Sequence, residues 1–360
     1  MNSQVVICCG SGGVGKTTTS AALGLRWAHD GDRVCVLTID PAKRLADSLN
    51  IDTLGGRPTP IDIPDATGRC DAVMLDVQET FESLIQRFAP TTAAAASILE
   101  NRYFQFASTR LGGVHEYMAA EKLRELATNG QYDVVIVDTP PTRNALDFLD
   151  APDRMAELMN GAVVRWLAAP ATKRGWRGLE LGGEAVTRVL NLLIGQNTIG
   201  EIAQFFNLFR DLGEGFQKRS VEVQDLLRAE STRFLLVTSP SSAAQSEALF
   251  FLRQLNAKAM PFGGFIVNRV EPHIAIDGEA LPVNGPDGWA IARSQLLALA
   301  EQQARLARMH EVGVDALVAA GPEGASVWPV PHQGAPVNSI DELAALSASL
   351  PTRDALRHTP

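Results

Sequence analysis

The apolar run Val5-Val6-Ile7-Cys8-Cys9 passes directly into Gly10-Ser11-Gly12-Gly13-Val14-Gly15-Lys16-Thr17, and a helix-permissive stretch from Thr17 to His29 follows. Strand, glycine loop and helix in that order, with the spacing G-x-x-x-x-G-K-T, constrain the fold more than any other feature of the chain. Triphosphate oxygens must be met by backbone N–H groups, and glycines let the backbone close around them at the start of a helix. The loop from Gly10 to Thr18 is therefore expected to bind MgATP, with Gly12, Gly13, Val14, Gly15 and Thr18 around the phosphates. Lys16 should contact the β- and γ-phosphate oxygens, being solvated until phosphate arrives, and the Thr17 hydroxyl should face Mg²⁺. The competing reading is a plain glycine turn carrying an exposed lysine.

Further apolar runs at Arg33 to Ile39, Asp133 to Val137, Phe234 to Thr238 and Phe262 to Asn268 alternate with helical patterns. Such alternation gives an α/β fold, a mostly parallel sheet covered on both faces. Pro58 to Asp71 and Asp277 to Gly288 are rich in Pro and Gly and read as surface connections. Between Ala151 and Glu230 strand signals disappear, while Val186, Val189, Leu190 and Leu193, then Ile199, Ile202, Ala203 and Phe206, follow helical spacing. The expected organisation is a core from 1–150 and 231–360 interrupted by a helical subdomain at 151–230.

Two acidic residues close strands. Asp138 ends Val134-Val135-Ile136-Val137 in the manner of a Walker B strand, which puts a carboxylate near the Mg²⁺ shell. Asp40 ends Val36-Leu37-Thr38-Ile39. A strand-end aspartate is often only a turn or helix-cap residue. At the carboxyl ends of a parallel sheet, beside a phosphate loop, both face the ligand crevice.

The formal net charge of -9 repels a polyanion over most of the surface, which argues against nucleic acid as the main partner. No apolar run approaches bilayer length, so a cytoplasmic protein is expected. The four cysteines, Cys8, Cys9, Cys35 and Cys70, form no CxxC and read as small buried hydrophobes. Six scattered histidines show no ligand spacing, so no zinc site is expected.

CGSGGVGKTTT, then TIDPAKRLADSL at Thr38 to Leu49, then VDTPPTRNALDFLD at Val137 to Asp150, resemble the arsenite-pump and tail-anchored-protein-targeting ATPase family, particularly its single-unit anion-transporting members from actinobacteria. The resemblance implies a P-loop NTPase of deviant Walker A type that hydrolyses ATP with Mg²⁺. It makes Asp40 the switch I carboxylate that orients or activates the attacking water, and Asp138-Thr139-Pro140-Pro141 switch II. Asn268 would read the adenine edge, and Pro329 to Pro331 would flank the base, with Pro331 in contact. The family works as dimers that open and close with ATP state, coupled to a client or membrane partner.

Three departures bear on function. Ser11 stands where the family carries a lysine that reaches the partner's phosphates, Asn144 replaces the switch II histidine, and the cysteines of the zinc and arsenite sites are absent. A serine cannot supply the missing charge, so a homodimer should be slow unless Arg143 or Lys43 stands in. The alternative is a heterodimer with a paralogue that retains the lysine. A nucleotide-dependent binding module or chaperone with little turnover is the competing function. The run from Arg165-Trp166 through Lys173-Arg174-Gly175-Trp176-Arg177 mixes cations with tryptophan, as an interfacial loop peripheral at a membrane would, although a solvated loop has the same composition.

Overall fold

A computed structural model of the chain describes residues 3–40, 42, 44–100, 113–160, 213–273, 286, 288–337 and 339–357. The chain divides into two compact units, one of Met1–Met74, Leu126–Ala145 and Arg228–Pro360, the other of Leu75–Glu125 and Leu146–Leu227.

The first unit is built on β1 (Gln4–Cys9), α1 (Lys16–His29), β2 (Arg33–Thr38), α2 (Arg44–Ser48), β3 (Thr59–Ile61) and β4 (Arg69–Met74). The second holds α3 (Val77–Phe88) and α4 (Thr92–Leu99), and α5 (Val114–Thr128) leads back to β5 (Val134–Asp138) of the first. After α6 (Thr142–Asn160) and α7 (Gly213–Arg228) come β6 (Thr232–Thr238), α8 (Ser242–Ala257), β7 (Phe262–Val270), α9 (Trp289–Ala320), β8 (Val327–Pro331), α10 (Ile340–Ser347) and α11 (Arg353–Arg357).

The strands form one eight-stranded sheet in the order β3-β4-β2-β5-β1-β6-β7-β8. Every pairing is parallel except β3 with β4. All six residues of β1 are buried, as an unbroken apolar strand in the middle of a doubly covered sheet must be. The expected P-loop NTPase class is thus the observed one. The segment Pro58 to Asp71 corrects the sequence reading: it is not a plain surface connection but contributes β3 and the start of β4, whose Cys70 is buried. Most of Asp277 to Gly288 lies outside the described residues.

Helix α1 lies close on the sheet because Gly24 has no side chain. A Cβ there would run into Val36 and Cys70. Its other face is closed by the segment containing α10 and α11, whose Leu343, Leu346, Leu350 and Leu356 are buried in the same cluster as Leu23 and Trp27. Polar contacts fix this closure. Trp27 Nε1 donates to the Pro351 carbonyl at 3.1 Å and Arg26 Nη1 to the Ser347 carbonyl at 2.6 Å. Arg353 reaches Gln4 Oε1 at 3.0 Å, the Asp133 carbonyl at 3.2 Å and the Asp32 carboxylate.

The second unit has its own core, in which Phe81, Leu84, Ile85, Tyr117 and Met118 surround Phe216. The Phe216 ring meets Phe81 edge-on at 6.1 Å and Tyr117 at 5.9 Å. Beside it, Glu121 is nearly fully buried between the guanidinium groups of Arg124 and Arg219, while Glu222 pairs with the same two arginines. Two anions and two cations compensate each other, which a buried charge requires. The helical-spacing residues Val186 to Phe206 and the tryptophan-cation loop around Trp166 and Trp176 lie outside the described residues.

Candidate active site

Three glycines shape the loop after β1. Gly10 passes so close to the Val237 carbonyl that a Cβ would collide with it. Gly13 has φ 78°, and Gly15, the N-cap of α1, has φ 94°, both in the left-handed region that favours glycine. Because Gly15 offers no side-chain cap, the first amides of α1 are left to a ligand, and the helix dipole favours an anion there. Val14 is buried under the loop, whereas Gly12 and Gly13 are exposed and Thr18 half-buried.

Lys16 is only 8% exposed and its Nζ donates to the Ser11 carbonyl at 2.9 Å, folding across the loop. The expectation of a solvated lysine is therefore corrected. Burial lowers its pKa, opposed mainly by the Asp138 charge. A plain turn with an exposed lysine does not describe this geometry. A buried ammonium held on one loop carbonyl still has two N–H groups for phosphate oxygens.

Asp138 ends β5 and is 1% exposed. Its Oδ2 accepts from the Thr17 hydroxyl at 2.8 Å and from the Thr38 hydroxyl at 3.1 Å. Its Oδ1 is buried without any partner. Burial pushes its pKa up to about 6, although both hydroxyls and Lys16 oppose the shift. Next to it, Thr139 Oγ1 donates to the Cys8 carbonyl at 2.8 Å, tying the segment after β5 to the end of β1. The Cys8 and Cys9 thiols are fully buried and pushed up to about 12 by that burial, which keeps them protonated.

Asp40 stands two residues beyond Thr38, which is in register with Asp138 across the β2–β5 pair. Its Oδ1 accepts from the Ala42 N–H at 2.9 Å, and its Oδ2 lies 3.3 Å from the Arg44 guanidinium. Across the loop, Asn268 Nδ2 donates to the Val14 carbonyl at 2.9 Å while its Oδ1 accepts from Arg269 N at 2.9 Å. A Cβ on Gly15 would collide with that amide, so Asn268 is packed directly on the loop. Pro331, in register with Val270 at the end of β8, is exposed.

The fold thus gathers Lys16, Thr17 and Asp138 in hydrogen-bonded or charge contact, with Asp40 adjoining and Asn268 on the loop's far side. Thr38 and Arg44 escaped the sequence reading. The signal for Thr38 was a hydroxyl inside the otherwise apolar RVCVLT strand. The signal for Arg44 was a cation four residues after Asp40, one helical turn away. Lys43 and the side chains of Arg143 and Asn144 lie outside the described residues.

The family model for anion-transporting ATPases matches residues 3–281. The chain belongs to the anion-transporting ATPase family. Like other members of this P-loop family, it is an ATP hydrolase. The chain is 26% identical over 329 residues to ATPase GET3B of Arabidopsis thaliana, an alignment covering 86% of this chain and 75% of that protein. A Prosthecochloris vibrioformis protein provisionally named arsenical pump-driving ATPase is 30% identical over 180 residues, 47% of this chain. The chain spans less than half of that relative, 42% of its length. ATPase BagA of Mycobacterium tuberculosis is 24% identical over 233 residues, 61% of this chain and 67% of its own. Among the described residues, no helix of this anion-transporting ATPase is long and apolar enough to cross a membrane.

Proposed function

We propose that this member of the family is a Mg²⁺-dependent ATPase whose nucleotide cycle opens and closes a dimer, and that the cycle is coupled to a client protein or a membrane partner. The observation that carries the Mg²⁺ assignment is the buried, unpartnered Oδ1 of Asp138 beside the Thr17 hydroxyl. Oxygen donors, one carboxylate and one hydroxyl, suit Mg²⁺, which takes its remaining ligands from phosphates and water. Bound there, the ion would neutralise charge developing on the β- and γ-phosphate oxygens.

The chain's own groups divide the remaining work. Lys16 and the first amides of α1 hold the phosphates. Asn268, in β7 and packed on the loop through Val14, would contact the base. Asp40 orients a water whose oxygen bonds to the γ-phosphorus as the bond from phosphorus to the β–γ bridging oxygen breaks. The water's proton passes to the Asp40 carboxylate, and ADP and inorganic phosphate result. Asp40 and Lys16 are then the groups that touch the reacting atoms, and Asp138 the one that would hold the ion.

Coupling to a partner draws support from relatives named for pump-driving and GET3-type ATPases. Self-association draws support from α9, on which Ile291, Leu299, Met309 and Val312 are each more than 60% exposed. The competing reading, a nucleotide-dependent binding module with little turnover, is favoured by Asp40 having both carboxylate oxygens engaged. Phosphate release by the purified chain, with MgATP and with EDTA, separates the two when compared with Asp40→Asn. A Mg²⁺-dependent rate that falls about 100-fold in the variant supports hydrolysis, whereas equal rates leave the binding module. Light scattering with ADP and with ATPγS reports the dimer.

A further inference from the structure

Phosphoryl transfer to water builds charge on the γ-phosphoryl oxygens, and a cation added there is worth about 10³–10⁵ in rate in enzymes that use one. The loop from Gly10 to Thr18 carries a single cation, Lys16. Its ammonium is already shared with the Ser11 carbonyl and lies in the field of Asp138. A second positive group is nevertheless built beside the site. Arg44, in the first turn of α2, has its guanidinium 3.3 Å from Asp40 Oδ2, and its charge opposes that of Lys16.

We propose that Arg44 is a catalytic arginine supplied within the same chain, held by the Asp40 carboxylate and passing to the γ-phosphoryl oxygens of bound MgATP. The transfer does two things at once: it places a guanidinium where charge develops, and it releases one Asp40 oxygen to take the proton of the attacking water. This rests on the ATPase reading of the site.

Three observations carry it. First, the guanidinium lies 3.3 Å from Asp40 Oδ2, and on that reading Asp40 adjoins the γ-phosphoryl group, so Arg44 is held close to the same oxygens. Second, the pair is easily broken. The Arg44 side chain is 66% exposed, and an ion pair with one partner in solvent is weak because water screens it. A γ-phosphate carrying more than one negative charge, partly shielded from water, outcompetes a single carboxylate for it. Third, the segment has room to adjust. Behind it lies a cavity of about 90 Å³ lined by Thr38, Ala42, Leu45, Ala46, Leu54 and Met74.

The test uses the full chain as wild type, Arg44→Gln, Arg44→Lys, Asp40→Asn and the Asp40→Asn/Arg44→Gln double variant. Two readouts are needed: single-turnover phosphate release, and equilibrium binding of MgADP with beryllium fluoride (ground state) or aluminium fluoride (transition state). The expected result is a loss of about 100-fold in rate for Arg44→Gln, in line with removal of one preorganised charge donor, and partial recovery in Arg44→Lys. Affinity for the beryllium fluoride complex should fall only a few-fold, while affinity for the aluminium fluoride complex falls about tenfold further, including in the Asp40→Asn background. If Arg44→Gln weakens aluminium fluoride binding only when Asp40 is intact, Arg44 merely orients Asp40 and the proposal is overturned. Wild-type rates in Arg44→Gln overturn it too, and leave the ATPase reading standing. A wild-type chain that releases no phosphate and shows no preference for aluminium fluoride overturns both.

Discussion

At the scale of single residues, the site is organised by how few partners its charges have. Lys16 makes one hydrogen bond to the loop, which leaves two N–H groups of its ammonium for other partners. Lys16→Ala should therefore leave the circular dichroism spectrum and melting temperature nearly unchanged, while calorimetry shows ATP affinity falling at least 100-fold. Wild-type affinity in that variant would place the nucleotide elsewhere. Asp138 gives the opposite kind of signature. Its pKa in the folded chain, about 6, exceeds the unfolded carboxylate value near 3.9. Protonation is thus favoured by folding: the stability contribution is full below about pH 4 and is lost as pH rises through about 6. Asp138→Asn removes that loss. The metal-free variant should be more stable than wild type at pH 7 by about 3 kcal/mol, with the gap closing towards pH 4. A gap independent of pH would contradict the buried, unpaired Oδ1. The same variant should lose the Mg²⁺-dependent part of ATP binding.

At the scale of elements, what the sequence made legible were the strands buried in the middle of the sheet. β1, β2, β5, β6 and β7 are apolar because helices cover both faces, and their runs could be read directly. β3 and β8 hid behind Pro60, Pro329 and Pro331, which edge strands tolerate because one side of the backbone needs no partner. β4 hid behind Asp71, whose carboxylate is answered by the Tyr132 hydroxyl at 2.8 Å, a contact 61 residues away that no local pattern reveals. The site divides in the same way. Lys16 and Thr17 were readable from motif spacing and Asp40 and Asp138 from their places at strand ends, whereas the position of Thr38 against Asp138 depends on β2–β5 register and that of Arg44 on its contact with Asp40. α1 makes an element-level prediction possible, because its far end is held by the segment with α10 and α11. Trp27→Ala should cost about 3–5 kcal/mol and Arg353→Ala about 1–3 kcal/mol, both measured by urea unfolding. Trp27→Ala at wild-type stability would mean that α10 and α11 do not close the core.

At the scale of the whole molecule, the two units have separate hydrophobic clusters, so damage to one should be felt first within it. Phe216→Ala empties the centre of the ring cluster formed with Phe81 and Tyr117. It should open Leu75–Glu125 and Leu146–Leu227 to limited proteolysis while ATP affinity stays within about threefold of wild type. Equal protection of both units, or loss of nucleotide binding in step with cleavage, would show that they unfold together. The closure of α1 by α10 and α11 has a further consequence, in the order of synthesis. The helix that the phosphate loop opens is seated by groups made more than 300 residues later, the Ser347 and Pro351 carbonyls, while Arg353 ties down Asp32 just beyond it. A ribosome-bound nascent chain that stops short of residue 340 would carry the whole ATP-contacting motif without a firm seat beneath it. Competence to hold nucleotide should then appear only once the residues of α10 and α11 have been made.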